Sequence, residues 1–180
     1  MSEEMLVCHC SPTLAGLKTG SLFSCPYSSQ KMIIKEIREF NQKLTQKGIR
    51  IIPVRISDKR MLVYVYRPEK LKEDFSDEKT QIILKCNGYD CTNLSQCICR
   101  LIQKLQSDPD FPHEIGLFLG YPAEDVKGFI ENKAACSKCS GCWKVYGDEQ
   151  AARILFKKYK KCTESKILFD NHLTMLYTLC

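Results

Sequence analysis

The sequence predicts an α+β fold: one domain over residues 1–180, built on a mixed sheet of about five strands with a hairpin and covering helices. Three observations predict it. First, apolar spacing switches along the chain between the helical period and the strand period, so both element types share one core. Second, the β-rich runs 49–56 and 61–66 are joined by Ser57-Asp58-Lys59-Arg60, which reads as an antiparallel hairpin and makes the sheet mixed. Third, 44% apolar and 27% charged residues over 180 positions is an ordinary globular composition, long enough to bury a full core.

Taken in order, residues 2–9 read as a short helix ended by Ser11-Pro12-Thr13, and a first strand follows around Leu22-Phe23. Ser28 and Ser29 cap a helix over 30–47, with Met32, Ile33, Ile37, Phe40 and Leu44 on one face and Gly48 as its stop. Pro53 lacks a ladder donor, so the strand 49–56 lies at an edge or carries a bulge. In 61–66, Leu62, Tyr64 and Tyr66 share a face, and Arg67-Pro68 ends the strand. Helices are expected over 69–75, 78–86 and 94–106, the last with Leu94, Ile98, Leu101, Ile102 and Leu105 inward. Ser107-Asp108-Pro109-Asp110 is a turn. Residues 115–119 form a short apolar run between His113-Glu114 and Gly120, which predicts a central strand buried on both faces. Tyr121-Pro122 breaks it. A helix to Asn132 then opens with Glu124 and Asp125 in its first turn, where they complement the helix dipole. Residues 143–146 are a short strand, and a helix begins at Asp148.

The chemistry-bearing residues concentrate after residue 112. Cys136, Cys139 and Cys142 are spaced C-x2-C-x2-C, which lets successive thiolates point at one centre, as Zn or Fe sites require. Cys162 is the candidate fourth ligand. Three unligated loop cysteines is the plainer reading, and thiol redox chemistry or metal transfer the third. A strand of four residues covers roughly 13 Å and a helix of fourteen about 21 Å, so an antiparallel return towards the loop is geometrically open. Cys8-His9-Cys10 is a weaker metal pattern, and Cys97 and Cys99 point to opposite sides of their helix. The segment 14–21 resembles a phosphate loop but fails its spacing. A looser anion site made by Lys18, Thr19, Gly20 and Ser21 is the reading that remains, against a glycine-bearing lead into the first strand. His113, Glu114 and Tyr121 are cleft candidates; on a strand the first two face opposite sides and form no acid–base pair.

The net charge of +6 is spread out, with one cluster at Lys157-Lys158 and Lys160-Lys161 that suits a solvated helix end. No basic face is interleaved with aromatics, so no nucleic-acid partner is expected. No apolar run approaches membrane-spanning length, and the acidic start Met-Ser-Glu-Glu lacks a signal-peptide core. The expectation is a cytoplasmic protein without a membrane partner, its 12 cysteines reduced and several of them filling core space.

The stretch from His113 to Gly120, with Tyr121-Pro122, Glu124-Asp125-Val126, Gly128-Phe129-Ile130-Glu131-Asn132, Cys142-Trp143-Lys144-Val145-Tyr146-Gly147-Asp148 and Tyr159-Lys160-Lys161-Cys162-Thr163, resembles a known family, as does 10–19. It is an uncharacterised family of anaerobic Gram-positive bacteria, known only as a domain of unknown function. The resemblance runs to about residue 163 and leaves 164–180 as a variable tail. It implies no activity. Family genes near those for flavodoxin and ferrous-iron transport imply a redox or iron-handling partner. The first functional expectation is therefore a metal- or redox-handling accessory protein using Cys136, Cys139, Cys142 and Cys162. The alternatives are a protein-interaction module without chemistry, and a small-anion-binding protein or enzyme using 16–21. No motif names a reaction.

Overall fold

Strand β3 (Arg60–Tyr66) is apolar after its first residue, with Met61, Val63, Tyr64 and Val65 all fully buried, and a strand of that kind must lie between others. It does: in this computed structural model, which describes residues 1–107 and 111–169, β3 is the centre of a three-stranded antiparallel sheet ordered β1-β3-β2. β1 is Gly20–Pro26 and β2 is Arg50–Ile56. The β2–β3 hairpin is the expected one, closed by the Ser57 N–H donating to the Arg60 carbonyl at 2.9 Å. Pro53 sits on an edge strand, and the β2–β3 register shifts between Pro53 and Arg55, so the edge and the bulge expected of it coincide.

The sheet belongs to a unit formed by residues 1–68 with the chain from Lys158. Two helices pack on it, α1 (Glu3–Leu14) and α2 (Gln30–Leu44). Leu6, Cys10 and Leu14 from the first and Ile33, Ile37 and Leu44 from the second meet Phe23, Ile51, Val63 and Val65. Cys10 and Cys25 are core residues, as the composition led one to expect. Gly48 ends the following 3-10 turn (Thr45–Lys47) at φ 69°, the left-handed stop read from the sequence. Helix α1 runs further than expected, through Pro12. The proline lies in the last turn, its freed acceptor is at exposed Cys8, and continuing the helix buries Leu14. Arg67 then satisfies the open carbonyls: Nε and Nη2 donate to Thr13 and Leu14 at 2.8 and 2.7 Å, and Nη1 to Lys47 at 3.2 Å.

Residues 69–157 form the second unit. Here lie α3 (Pro68–Asp74, starting at the boundary), α4 (Glu78–Cys86), α5 (Leu94–Ser107), α6 (Ile115–Phe118), α7 (Ala123–Asn132), the two-stranded β4 (Cys139–Ser140) and β5 (Lys144–Val145), and the start of α8 (Glu149–Phe169). The central strand expected at 115–119 is not formed. Ile115, Gly116 and Leu117 donate to the carbonyls of Pro112, His113 and Glu114, which is helical turn bonding. The apolar run is buried on every side, and a short run of that kind carries no period to separate a buried strand from a buried helical turn. Gly116 favours the turn, because a Cβ there would stand 2.7 Å from Val126 Cγ2 of α7. Phe118 fills the core, edge-on to Phe75 at 4.9 Å and tilted against Tyr89 at 5.5 Å. The five-stranded mixed sheet is thus replaced by a three-stranded and a two-stranded antiparallel one, still with an α+β content of helix and strand. The turn expected at 107–110 and the end of the tail fall largely outside the described residues. None of the described helices is long and apolar enough to cross a membrane.

A cavity walled by aromatic rings

The second unit is organised on Asp125, a carboxylate buried to 3% exposure in the first turn of α7. Trp143 Nε1 donates to its Oδ2 at 2.6 Å, and the N–H groups of Tyr146 and Gly147 donate to its Oδ1 at 2.7 and 2.8 Å. One carboxylate therefore fastens the β4–β5 hairpin to α7 by three charge-assisted bonds. Two glycines let the pieces approach. A Cβ on Gly128 would stand 2.4 Å from the Tyr146 ring, and one on Gly141 would stand 2.3 Å from the Phe156 ring. The sequence reading assigned Asp125 to the helix dipole and missed this role. The available signal was the lone tryptophan, whose indole N–H needs an acceptor when buried.

The hairpin and the 113–129 segment enclose a cavity of about 340 Å³. Tyr121 and Trp143 are stacked at 4.7 Å in one wall, with Trp143 held edge-on by Phe156 at 4.5 Å. His113, exposed at the mouth, meets the Phe129 ring edge-on at 5.0 Å. Lys144 and Cys142 supply polar groups at the lining. Tyr121 Oη donates to the Cys142 carbonyl at 3.3 Å. Burial, with a smaller contribution from the nearby Cys142 charge, pushes the Tyr121 hydroxyl up to about 12, so it remains a neutral donor in ordinary conditions.

Of the three cleft candidates, His113 and Tyr121 line this cavity and Glu114 turns away from it. Glu114 is buried at 4% exposure, where Oε1 accepts from Lys104 Nζ at 2.5 Å and Tyr89 Oη at 3.1 Å. It is a core ion pair. Cys142 and Cys136 are exposed, while Cys139 is half-buried in β4. Cys136 follows Lys133 and Ala134 in a run of left-handed non-glycine residues at φ 45°, 72° and 58°. Cys162 lies half-buried on α8 in the other unit. Among the described residues, no three or more His, Cys, Asp or Glu side chains are gathered as a metal site requires. In α1, Cys10 is fully buried, Cys8 is exposed and His9 stacks on Phe23 at 5.0 Å. Cys97 is buried and Cys99 exposed, as their spacing dictates.

The segment 16–21 is built as a helix exit. The Gly16 N–H donates to the Thr13 carbonyl, and those of Leu17 and Lys18 both donate to the Pro12 carbonyl, at 2.8 and 3.1 Å. Gly20 and Ser21 lie in the β1 ladder opposite Tyr66 and Val65. The Thr19 carbonyl accepts from the Arg67 N–H, and Ser21 Oγ bonds Thr13 Oγ1 at 2.9 Å. The backbone donors of 16–18 thus go to carbonyls at the C-terminal, electronegative end of α1.

The model of one protein family, described as a protein of unknown function (DUF3793), matches residues 6–179, past residue 163 where the resemblance read from the sequence stopped. No curated protein and no solved structure matches the chain.

Proposed function

The chain belongs to the DUF3793 family, and from that premise we propose that it is a ligand-binding protein whose second unit takes a flat, largely apolar small molecule. The observation that carries this reading is the cavity of about 340 Å³ with Tyr121, Phe129, Trp143 and His113 in its walls. Its size falls in the range of small-molecule sites, about 300–1,000 Å³, and a few polar groups set among aromatic walls is their usual make-up. The walls are rigid before any ligand arrives, because Asp125 holds the Trp143 ring and the hairpin backbone together. Preorganisation of this kind lowers the ordering cost of binding. Lys144 gives the ligand's polar edge a cation, which favours an anionic substituent. Cys142, an exposed thiol at the lining, is where the expected thiol chemistry would meet a bound molecule.

Trp143 is the chain's only tryptophan, so its fluorescence reports on this wall alone. Titration with 8-anilinonaphthalene-1-sulfonate and with a panel of planar heteroaromatic carboxylates should give a saturable change in Trp143 emission. Lys144→Ala should weaken the anionic compounds about tenfold, equal to about 1.4 kcal/mol. Ser140→Phe, which places a ring at a lining position exposed on β4, should block binding without unfolding the unit. A panel that never saturates the signal, or one that binds the filled variant equally well, overturns the reading.

A further inference from the structure

The three-stranded sheet of the first unit has one closed edge and one open edge. On β2, the Ile51 N–H donates to Asn41 Oδ1 at 2.8 Å and the Ile51 carbonyl accepts from Asn41 Nδ2 at 2.7 Å. One side chain there takes the place of a neighbouring strand. Pro53 has no N–H to offer, and the bulge after it breaks the flat repeat. The edge of β1 carries none of these devices between Gly20 and Cys25. Its pairing with β3 runs without a register shift, and no side chain from Gly20 to Pro26 is charged.

The ladder fixes which groups lie on the open edge. At the two ends of the β1–β3 pairing, the Arg67 N–H donates to the Thr19 carbonyl at 2.9 Å and the Tyr27 N–H to the Lys59 carbonyl at 3.2 Å. Bonded pairs alternate in an antiparallel ladder, so Ser21, Phe23 and Cys25 bond β3, while Leu22 and Ser24 turn their N–H and C=O outward. Gly20 also turns outward but is buried, so the open stretch begins at half-buried Leu22. Ser24 is exposed, and Arg60 reaches it across the sheet face: Nε donates to Ser24 Oγ at 2.7 Å and Nη2 to the Ser24 carbonyl at 3.0 Å. Among the described residues, nothing bonds the Leu22 N–H, the Leu22 carbonyl or the Ser24 N–H, and no carboxylate pairs with exposed Arg60.

We propose that β1 from Leu22 to Ser24 is a strand-addition site for an extended peptide that carries a carboxylate beside Arg60. In an antiparallel added strand, one peptide residue exchanges both bonds with Leu22, and the residue two before it accepts from the Ser24 N–H. The side chain opposite Ser24 stands on the face of the sheet that Ser24 and the guanidinium occupy. Arg60 Nη1 is not spent on Ser24, so a glutamate at that position has a donor to meet. The side chain opposite Leu22 lies against a half-buried leucine, and an apolar β-branched residue fits it. The peptide therefore reads glutamate, a β-former, then valine. Arg60 also argues against a second copy of this chain as the partner. Pairing β1 with itself would set two guanidiniums along one short edge with no carboxylate between them.

The probe is the peptide acetyl-Thr-Thr-Glu-Thr-Val-Thr-Thr-amide, titrated into the isotopically labelled full chain. The Leu22 and Ser24 amide signals should shift saturably in nuclear magnetic resonance spectra, and both N–H groups should exchange more slowly with solvent. Replacing the peptide's glutamate by glutamine should weaken binding about threefold, as for an exposed ion pair. In Arg60→Gln the two peptides should bind alike. Leu22→Pro removes only an outward donor and leaves the bonds of Ser21, Phe23 and Cys25 to β3, so it should abolish the shifts while circular dichroism stays unchanged. A titration without saturable shifts, equal binding of both peptides to the parent, or undiminished binding to Leu22→Pro overturns the proposal. So does a dimer mass with the Leu22 amide already protected before peptide is added, which would give the edge to a second copy. Where Leu22→Pro does not fold, the comparison of the two peptides on parent and Arg60→Gln decides.

Discussion

Removing the Asp125 carboxylate is the sharpest test of how the second unit is held together. In Asp125→Ala the Trp143 indole N–H, on a residue only 8% exposed, loses its acceptor, as do the part-buried N–H groups of Tyr146 and Gly147. A buried donor left unsatisfied costs about 1–3 kcal/mol, and charge-assisted bonds lie towards the upper end. Three such losses do not add fully, since a freed hairpin can rehydrate. The expected destabilisation is therefore about 3–4 kcal/mol. Asp125→Asn keeps two acceptor lone pairs on one oxygen but turns an NH2 towards one of the donor positions, so it should recover about half of that. Urea unfolding followed by Trp143 emission measures both, because the only tryptophan is one of the groups released. An alanine variant within about 0.5 kcal/mol of the parent, or an asparagine variant less stable than the alanine one, would refute the reasoning.

Gly128→Ala places a Cβ about where the Tyr146 ring now lies and should cost about 1–3 kcal/mol in the same assay, read as a lower urea midpoint. Leu117→Asp, at 1% exposure in α6, should abolish soluble expression even though the segment is helical, because an unpaired buried charge costs several kcal/mol in either element. In the first unit, Arg67→Ala uncovers the carbonyls of Leu14 and Lys47, leaves that of Thr13 with the Gly16 N–H alone, and should lower stability by about 2–3 kcal/mol, followed by circular dichroism in urea. Alkaline pH gives a further check. Burial pushes the Cys10 thiol from 9.0 up to about 12, so the unfolded chain gives up this proton first. Stability is then full below pH 9 and falls as pH rises towards 12, by about 1.4 kcal/mol at pH 10 from this group. Cys97 and Tyr121, also raised by burial, act in the same direction in the second unit. Cys10→Ala should flatten the fall of the first unit's unfolding midpoint between pH 8 and 10.5; an unchanged slope would show that Cys10 does not titrate differently on folding.

The elements legible in the sequence were those with a period or a marked end. The hairpin of β2 and β3 was readable from two alternating runs, and Pro53 announced both its edge and its bulge. Helices α2, α4, α5 and α7 were readable because their apolar spacing and stops, such as Gly48 and Asn87-Gly88, are local properties. Composition alone pointed to buried cysteines. Where the signal was non-local, the reading went astray or stopped. Residues 115–119 are apolar on every side, so only their neighbours decide between strand and helical turn, and the close approach of Val126 over Gly116 decided it. For 16–21 the phosphate-loop spacing already fails in the sequence, and only the fold shows that the backbone donors of 16–18 go to carbonyls at the end of α1. His113 and Tyr121 were singled out by sequence, yet what sets them in one cavity lining is the hairpin twenty residues on, which brings Trp143 and Cys142 to the same cavity. The pairing of Asp125 with Trp143 rests on a contact between elements. Each residue's own neighbourhood in the chain fixes its backbone preference, but a buried carboxylate or thiol acquires its chemistry from whichever donors and charges the tertiary fold sets against it.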